Sequence, residues 1–295
     1  MSKPALKALE DDFKASADRL VDSLLDQGEF DAVQNLAEAF PLSVFPDAIG
    51  LRKDGRENLL PYGNMAFNAF GPRNELFEKS FENAQPVVQW IMDQCQRSAL
   101  APTGIGEQIY QAADEGAVTQ QEAGLLVRSL LTAGLDTTIF GIGAMLYCLA
   151  SYPEQWRLLR NNPKLVRGAF EEALRFVSPV QTFMRTTTRI VDVEGIEIPE
   201  GQKVVLFLAS ANRDPRQWDD PDRFDIGRQT LGHVGFGHGI HVCVGQMLAR
   251  LEAQVLLTSL VERVDRMELV GKPQWRLNNT LHGVGRLPVR LHSVS

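Results

Sequence analysis

A single cysteine, Cys243, lies in a loop of glycines and histidines, within the stretch GFGHGIHVCVG at residues 235–245. An apolar-periodic segment that predicts a long helix begins directly after the loop, at about residue 246. The glycines allow positive φ angles and a close approach of the backbone to a flat ligand. The amino end of the helix directs its dipole and free N–H groups at the sulfur, which favours the thiolate. A thiolate placed in this way suits a metal ion whose other ligand positions are filled, although a lone cysteine is more often a small buried hydrophobe.

Two further groups have spacings that suit chemistry or structure. In AGLDTT at 133–138, a glycine inside a helical pattern is followed by Thr137, which can bond the carbonyl four residues earlier. This combination weakens a helix and can open a bulge, whereas Asp-Thr-Thr in an ordinary helix is only surface polarity. Glu172 and Arg175 are three residues apart on a predicted helix and therefore share a face, a spacing that usually marks a solvated pair.

These residues resemble the motifs of the cytochrome P450 family, the haem-thiolate monooxygenases. The haem-binding signature of that family has Phe, Gly, a basic residue, Cys and Gly at fixed spacings. The five positions are matched here by Phe236, Gly237, His241, Cys243 and Gly245. The resemblance implies that Cys243 is the proximal ligand of a haem b iron and that Phe236 shields its sulfur. By the same match, His241 would hydrogen-bond a haem propionate.

The other family motifs occur in the expected order. Asp136 and Thr137 resemble the acid–alcohol pair of the oxygen pocket, in which the acid relays protons and the alcohol hydrogen-bonds the oxygen. Ala133 and Gly134 of the same helix would contact the haem. Arg185, in FMRTTTR, is similar to the propionate-binding arginine that the family places before a strand.

A structural triad is also implied by the resemblance. Glu172 and Arg175 are similar to the Glu-x-x-Arg pair of the family. Arg223, in PDRF at 221–224, would close this pair into a triad that locks the fold around the haem without a part in the chemistry.

Longer stretches, such as LLVRSLLTAGLDTT and RFVSPVQTFMRTTTR, resemble the bacterial subgroup that oxidises para-substituted benzoates such as 4-methoxybenzoate. A bound carboxylate needs donors, because an unpaired buried charge is costly. Arg128, Thr132 and Asp136 step by four residues and Ser129 precedes Thr132 by three, so one helix face would carry polar groups toward the iron. We rank Ser129 and Thr132 above Arg128, because Arg128 can equally face solvent or a structural carboxylate.

The expected substrate slot is flat and aromatic. Each of its candidate residues is equally well read as ordinary core; they are Phe67, Phe70, Val180 and Phe183.

The resemblance implies a monooxygenase that uses O2 for oxidative O-demethylation or hydroxylation of a small aromatic carboxylate. Electrons would come from NAD(P)H through a flavin reductase and a ferredoxin. The ferredoxin would dock beside the cysteine loop, where a basic patch is indicated by Arg213, Arg216, Arg223 and Arg228. One alternative is a peroxide-driven catalyst, against which the acid–alcohol pair argues because peroxide already carries the protons. Another is a catalytically silent remnant that binds haem loosely or not at all.

The elements that position these residues are mostly helical. Helical patterns cover about 4–27, 31–39, 54–70, 74–97, 119–150, 153–160, 163–176 and 246–262. Strand signals come late, in a hairpin at 189–197, a buried run at 203–208 and a β-like tail. We expect one domain over 1–295, mostly α with a small β component: a cytochrome P450 fold that lacks its N-terminal helices and part of the sheet.

Composition narrows the class of protein further. The net charge of −7 over 295 residues argues against sequence-independent nucleic-acid binding and disfavours adhesion to an anionic membrane. Three widely separated cysteines do not form a disulfide framework, which indicates a reducing compartment. The longest apolar stretch, 139–150, is too short to span a bilayer. The sequence therefore predicts a cytoplasmic protein.

Overall fold

Helices account for most of the structure, a computed structural model that describes residues 3–294, without the side chains of residues 3–6 and 8. The α-helices of the described residues are α1 (Lys3–Leu25), α2 (Ala39–Ile49), α3 (Leu59–Ala69), α4 (Glu75–Ser80), α5 (Ala84–Gln94), α6 (Ile105–Asp114), α7 (Gln120–Ala133), α8 (Asp136–Ser151), α9 (Pro153–Asn161), α10 (Val166–Val177), α11 (Leu208–Ala211) and α12 (Gln246–Arg263). A π-helical turn, Val33–Glu38, precedes α2. The predicted fold class, mostly α with a small β component, is confirmed.

The boundaries differ from the predicted ones where glycine, proline or a positive φ intervenes. The segment predicted as helix over 31–39 continues to Ile49 and ends at Gly50, whose φ of 94° suits glycine. The segment 74–97 is divided at Asn83, which has a φ of 56°. The helix α6 was not predicted, although its sequence is amphipathic.

The long helix predicted over 119–150 is two helices. A capping box of Thr119 and Glu122 begins α7, and the chain turns at Gly134 and Leu135 before α8. A Cβ on Gly134 would lie 2.4 Å from the ring of Phe45, so only glycine fits at this turn. The predicted weakness of the helix at AGLDTT is therefore a real break.

Antiparallel strands form one sheet of three strands, ordered β1 (Glu29–Asp31), β9 (Pro288–Ser293) and β6 (Val264–Leu269), and three pairs. The pairs are β2 (Thr182–Thr186) with β5 (Lys203–Phe207), β3 (Val191–Val193) with β4 (Ile196–Ile198), and β7 (Gln274–Trp275) with β8 (Val284–Arg286). The predicted hairpin turns at Glu194 and Gly195, which both have positive φ angles.

The prediction of a buried run over 203–208 is wrong. Val205, Leu206 and Phe207 of β5 are exposed by 43%, 39% and 64%. The pair β2–β5 is a two-stranded ribbon, on which the short α11 packs and the Phe70 ring lies against Phe183. One face of this ribbon is therefore open.

The core is centred on α8, which packs against α10 and the π-helical turn. The most apolar 18-residue window of the stretch 120–151 has a mean hydropathy of 1.4, and the stretch is long and apolar enough for a membrane-crossing helix. Of its most apolar window, 78% is buried inside the protein, as in the central helix of a folded core.

Candidate active site

The cysteine loop is folded tightly on itself. The Cys243 N–H donates to the Phe236 carbonyl over 2.7 Å, and Gly237 has a φ of 77°. A Cβ on Gly237 would lie 2.7 Å from the His241 carbonyl oxygen, so the loop closes only with glycine at this position. Cys243 itself is exposed and free.

The N–H groups at the start of α12 lower the pKa of Cys243, as predicted, but in the chain alone a larger effect opposes them. Desolvation of the sulfur within the folded loop raises the pKa of Cys243 above its ordinary value. Hydrogen bonds from the N–H groups of Gly245 and Gln246, with the charge of Arg250, oppose this rise but do not overcome it. A coordinated metal ion deprotonates a thiol outright, so the thiolate state is one that a bound iron would supply.

Phe236 is held by a charged cluster that the sequence reading missed. The Arg250 guanidinium lies 4.4 Å from the ring centroid, and Arg250 is paired with Glu171. The other oxygen of Glu171 is 2.8 Å from His233 Nε2. Burial alone would raise the pKa of Glu171, but the bonds from His233 and Arg250 lower it to about 2. The available signal was the first glutamate in FEEALRF, Glu171, next to Glu172.

The residues expected to hold haem propionates fit that role. Arg185 is half-buried on β2, with Nη1 bonded to its neighbouring carbonyl of Met184 over 2.8 Å and its guanidinium 5.3 Å from the Phe183 ring. His241 is exposed. Neither forms an ion pair with a carboxylate among the side chains that the structure describes. The exposed Cys243 is a suitable ligand for a haem iron. Arg185 and His241, which form no ion pairs among the described side chains, are suitable partners for the two haem propionates.

Back-bonded threonines hold the junction between α7 and α8. Thr137 Oγ1 donates to the Ala133 carbonyl over 2.7 Å, and Thr138 Oγ1 donates to the Gly134 carbonyl over 2.9 Å. Ala133 is exposed and Thr137 is half-buried, whereas Thr138 is buried. Ala133 and Thr137 therefore lie on the open side of the junction, where a ligand can reach them.

Asp136 points to the opposite, closed side. It is 2% exposed, and its Oδ2 atom is buried without a hydrogen-bond partner among the described residues. A Cβ on Gly63 of α3 would lie 2.7 Å from the carboxyl carbon, so the two helices meet directly over this group. Burial raises the pKa of Asp136 to about 7; Arg276 acts to lower it and Glu38 to raise it.

We expect Asp136→Asn to stabilise the fold by up to about 4 kcal/mol above pH 7. The ordinary pKa is 3.8 and the folded one is about 7. Below the lower value both states bind the proton, and stability is lost as the pH rises through the folded value. Denaturant unfolding of both proteins at several pH values measures the gain, with the exposed Asp11→Asn as control. A gain that is equal at pH 4 and pH 8 would contradict this account.

The polar residues that were predicted to share one face of the long helix lie on two different faces. Thr132 donates to the Arg128 carbonyl over 2.7 Å and contacts the Tyr62 hydroxyl at 3.3 Å, so it points toward α3, as Asp136 does. Ser129 is exposed and donates to the Leu125 carbonyl. Ser129, with Ala133 and Thr137, continues the open side in steps of four residues. Arg128 is exposed.

The four residues of the expected aromatic slot come together. The Phe70 ring lies 6.0 Å from that of Phe67 and 6.3 Å from that of Phe183. Val180 packs on a small cluster of Phe67, Phe140 and Leu281. The last two were not predicted, and Phe140 follows Thr137 by three residues, which connects the slot to the oxygen-pocket helix.

The predicted triad forms with a different third member. Arg175 Nε and Nη2 bond both Glu172 oxygens at 2.7 and 2.8 Å, and both side chains are fully buried. The assignment of Arg223 is wrong: its side chain is 64% exposed, and only its carbonyl faces the pair. Arg228 Nε contacts Glu172 at 3.2 Å instead. The turn at Asp220, with a φ of 45°, helps set the direction of this loop.

The basic patch predicted over 213–228 is also wrong. Each of its four arginines is paired with a carboxylate, and the pairs are Arg213 with Asp222, Arg216 with Asp214, Arg223 with Asp225, and Arg228 with Glu172. The same segment carries five aspartates, so it has no net positive charge.

Comparisons with known proteins agree with this architecture. A family model described as cytochrome P450 matches residues 61–290. The chain is 56% identical over 292 residues to cytochrome P450 CYP199A2 of Rhodopseudomonas palustris, covering 99% of this chain and 71% of that protein. It is 33% identical over 281 residues to the 6-deoxyerythronolide B hydroxylase of Saccharopolyspora erythraea, covering 92% and 68%.

Among solved structures, cytochrome P450 CREJ in complex with (4-ethylphenyl) dihydrogen phosphate superposes with a TM-score of 0.90 at 29% identity. The match covers 99% of this chain and 75% of that one. These shares are consistent with the expectation that the chain carries part of the family fold.

Proposed function

The chain belongs to the cytochrome P450 family and is a P450 monooxygenase; we propose that its substrates are small aromatic acids, para-substituted benzoates above all. The observation that carries the proposal is the aromatic slot, which includes Phe140 of α8 and so adjoins the threonine-bearing junction. A flat apolar slot suits a benzene ring. On α7, exposed Ser129 lies on the open side with Ala133 and Thr137, and exposed Arg128 lies on the neighbouring stripe; both carry hydrogen-bond donors.

A haem bound to Cys243 would supply oxygen activation. Phe236 and the N–H groups of Gly245 and Gln246 would surround its sulfur ligand, and Arg185 and His241 would neutralise its propionates. In the net reaction, substrate, O2, two electrons and two protons yield hydroxylated substrate and water. A hydroxylated methoxy group then collapses to a phenol and formaldehyde.

We propose that two side chains relay to the oxygen site the protons that solvent supplies. Asp136 is half-protonated near neutral pH, since its pKa is about 7, and it is therefore suited to give and take protons at that pH. Thr137 holds its hydroxyl on the open side of the junction by donating to Ala133. We assign proton relay to Asp136 and proton delivery at the oxygen site to Thr137.

Recognition of the substrate carboxylate is assigned to Ser129 and Arg128. Thr132 is the weaker candidate, because its hydroxyl is engaged with Arg128 and Tyr62. A solved relative holds a para-substituted aromatic anion, (4-ethylphenyl) dihydrogen phosphate. This precedent supports an anion on a para-substituted ring as the substrate chemistry.

Electrons would arrive from NAD(P)H through a flavin reductase and an acidic ferredoxin in the cytoplasm. The docking surface we propose is a depression of about 520 Å³ beside the cysteine loop. Its lining includes Phe236 and Val242 of the loop, together with Lys164 and Arg167, which form no ion pair among the described side chains. Arg228 and Arg250 also line it but are paired with Glu172 and Glu171. A basic rim next to the sulfur suits an acidic electron donor.

Two measurements on the purified protein test the proposal. The reduced, carbon-monoxide-bound form is expected to show a Soret band shifted far to the red, the signature of thiolate ligation. Turnover of 4-methoxybenzoate with NAD(P)H, reductase and ferredoxin is expected to give 4-hydroxybenzoate and formaldehyde. A colourless protein would support the inactive remnant, and turnover with peroxide alone would support the peroxide-driven enzyme.

We expect Arg128→Met and Ser129→Ala each to weaken 4-methoxybenzoate binding by about tenfold, the cost of one charge-assisted hydrogen bond. The methyl ester has no charge to lose, so its weaker binding is expected to change little in either variant. Spin-state titration measures both dissociation constants, with exposed Arg157→Met on α9 as the matched control. Equal wild-type binding of acid and ester would remove the carboxylate anchor.

A further inference from the structure

An asparagine in the loop between β7 and β8, residues 276–283, bonds the turn that follows α3. Asn279 Nδ2 donates to the carbonyls of Asn68 and Pro72, each over 3.0 Å. Asn74 Nδ2 donates to Asn279 Oδ1 over 2.8 Å, and Asn279 Nδ2 lies 3.1 Å from Asn74 Oδ1 in return. The Asn279 N–H donates to Asn68 Oδ1 over 3.0 Å. We call Asn68, Asn74 and Asn279 the asparagine cluster.

The loop 276–283 also forms part of the aromatic slot. Thr280 Oγ1 donates to the Phe67 carbonyl over 2.7 Å. Leu281 belongs to the same small apolar cluster as Phe67, and its backbone bridges to Val180. The loop therefore connects two walls of the slot, because Phe67 and Phe70 lie at the end of α3 and Val180 precedes β2.

The turn after α3 is shaped closely around Asn279. A Cβ on Gly71 would lie 2.4 Å from the Asn279 Cβ atom, so only glycine fits at that position. Asn68 is buried, and its Nδ2 donates to the Asn64 carbonyl over 2.9 Å. Buried amides whose donors and acceptors are bonded favour one arrangement of the chain. The asparagine cluster therefore fixes the turn against the loop.

Apolar packing alone does not fix the slot at this end. Phe70 is 56% exposed, and its ring lies 6.3 Å from that of Phe183, which is also exposed. Since much of the Phe70 ring meets no other protein atoms, the backbone that carries it decides where the ring lies. Asn279 holds that backbone on both sides of Phe70, at the carbonyls of Asn68 and Pro72.

We propose that Asn279 is a specificity-determining residue: by holding the turn after α3 against the loop 276–283, it sets the width of the aromatic slot. The inference rests on the proposed function, in which this slot receives the benzene ring. A para-substituted ring is narrow, whereas the meta isomer with the same atoms is wider. A slot of fixed width therefore favours the para isomer, and a slot that opens readily distinguishes the two isomers less well.

The test compares Asn279→Ala with Asn74→Asp and with a control, Asn161→Ala, which changes an exposed asparagine at the end of α9. Asn279→Ala removes every side-chain bond of Asn279. Asn74→Asp is the milder variant, because it replaces only the donor to Asn279 Oδ1 by an oxygen. Its carboxylate still accepts from the Phe77 N–H at the start of α4.

The first readout is amide hydrogen exchange in the segments 67–74 and 276–283, measured by mass spectrometry on the purified protein. We expect Asn279→Ala to speed exchange in both segments by about tenfold, because several hydrogen bonds between them are lost. Asn74→Asp is expected to speed it by about threefold. The control is expected to leave it unchanged.

The second readout is the ratio of the dissociation constants of 3-methoxybenzoate and 4-methoxybenzoate, from spin-state titration. The two acids carry the same charge and the same atoms, so a weaker carboxylate contact or a less stable fold changes both constants alike. We expect the wild type to favour 4-methoxybenzoate and Asn279→Ala to lower the ratio by about tenfold. Asn74→Asp is expected to lower it by about threefold and the control not at all.

Unchanged exchange in Asn279→Ala would overturn the contact between the two segments. Faster exchange with an unchanged ratio, or a wild type that binds both isomers equally, would overturn the role in specificity. If Asn279→Ala does not fold, Asn74→Asp decides both questions. A wild type that binds neither acid would overturn the proposed function, and the exchange measurement then still decides whether Asn279 holds the turn.

Discussion

Replacing Cys243 by serine is expected to abolish the red-shifted Soret band of the reduced, carbon-monoxide-bound protein and to lower turnover by at least about a thousandfold. Serine has nearly the same shape but offers a hydroxyl oxygen, which does not push electron density onto iron as a thiolate does. The loop itself should keep its fold, because it closes through backbone contacts between Cys243 and Phe236 and at Gly237.

The other cysteines provide the control for this experiment. Cys95 and Cys148 are buried, and burial raises the pKa of the Cys95 thiol to about 11. Cys95→Ala is therefore expected to retain the red-shifted band and most of the turnover. A red-shifted band that survived in Cys243→Ser would show that the iron has another ligand and would refute the assignment.

Arg175→Met is expected to destabilise the fold by about 3–5 kcal/mol, the cost of leaving a buried charge without its partner. Arg175 meets both oxygens of the fully buried Glu172. Arg175 also donates to the carbonyls of Asn212 and Pro221 at 2.9 Å. The variant therefore leaves these two carbonyl acceptors without their donor as well. Arg228 contacts Glu172 at a single nitrogen and does not replace these bonds.

Denaturant unfolding measures this loss, and Arg223→Met is its matched control. The two arginines occupy the triad positions that the sequence resemblance assigned, but Arg223 is exposed and is 3.8 Å from Asp225. Exposed pairs contribute little, so the control is expected to change the unfolding free energy by less than about 0.5 kcal/mol. Equal losses in the two variants would restore Arg223 to the triad and contradict the contacts described above.

The sequence predicted well what local spacing determines. The helix break at Gly134, the turn at Glu194 and Gly195 and the pairing of Glu172 with Arg175 all depend on neighbours within a few residues. The cysteine loop was found in the same way, because glycine positions restrict the backbone. The fold class followed from the helical periodicity and from the order of the family motifs.

Contacts between distant segments could not be predicted from local spacing. Arg223 and Arg228 are both near enough along the chain to reach Glu172, and the direction of the intervening loop decides between them. Asp136 and Gly63 are far apart along the chain and meet only through the packing of α3 on α8. The predicted polar face was also divided: Thr132 and Asp136 lie toward α3, whereas Ser129 lies on the open side.

The two adjacent glutamates of α10 have a consequence for how this region tolerates change. Glu171 fixes Arg250 and His233, next to the cysteine loop, while Glu172 fixes the segment that carries Arg228. Successive residues of an α-helix point about 100° apart, so the two anchors keep a fixed angle. Inserting or deleting one residue earlier in α10 would rotate Glu171 and Glu172 together by about 100°, away from their partners. The length of this helix is therefore under tighter constraint than the identity of its apolar side chains.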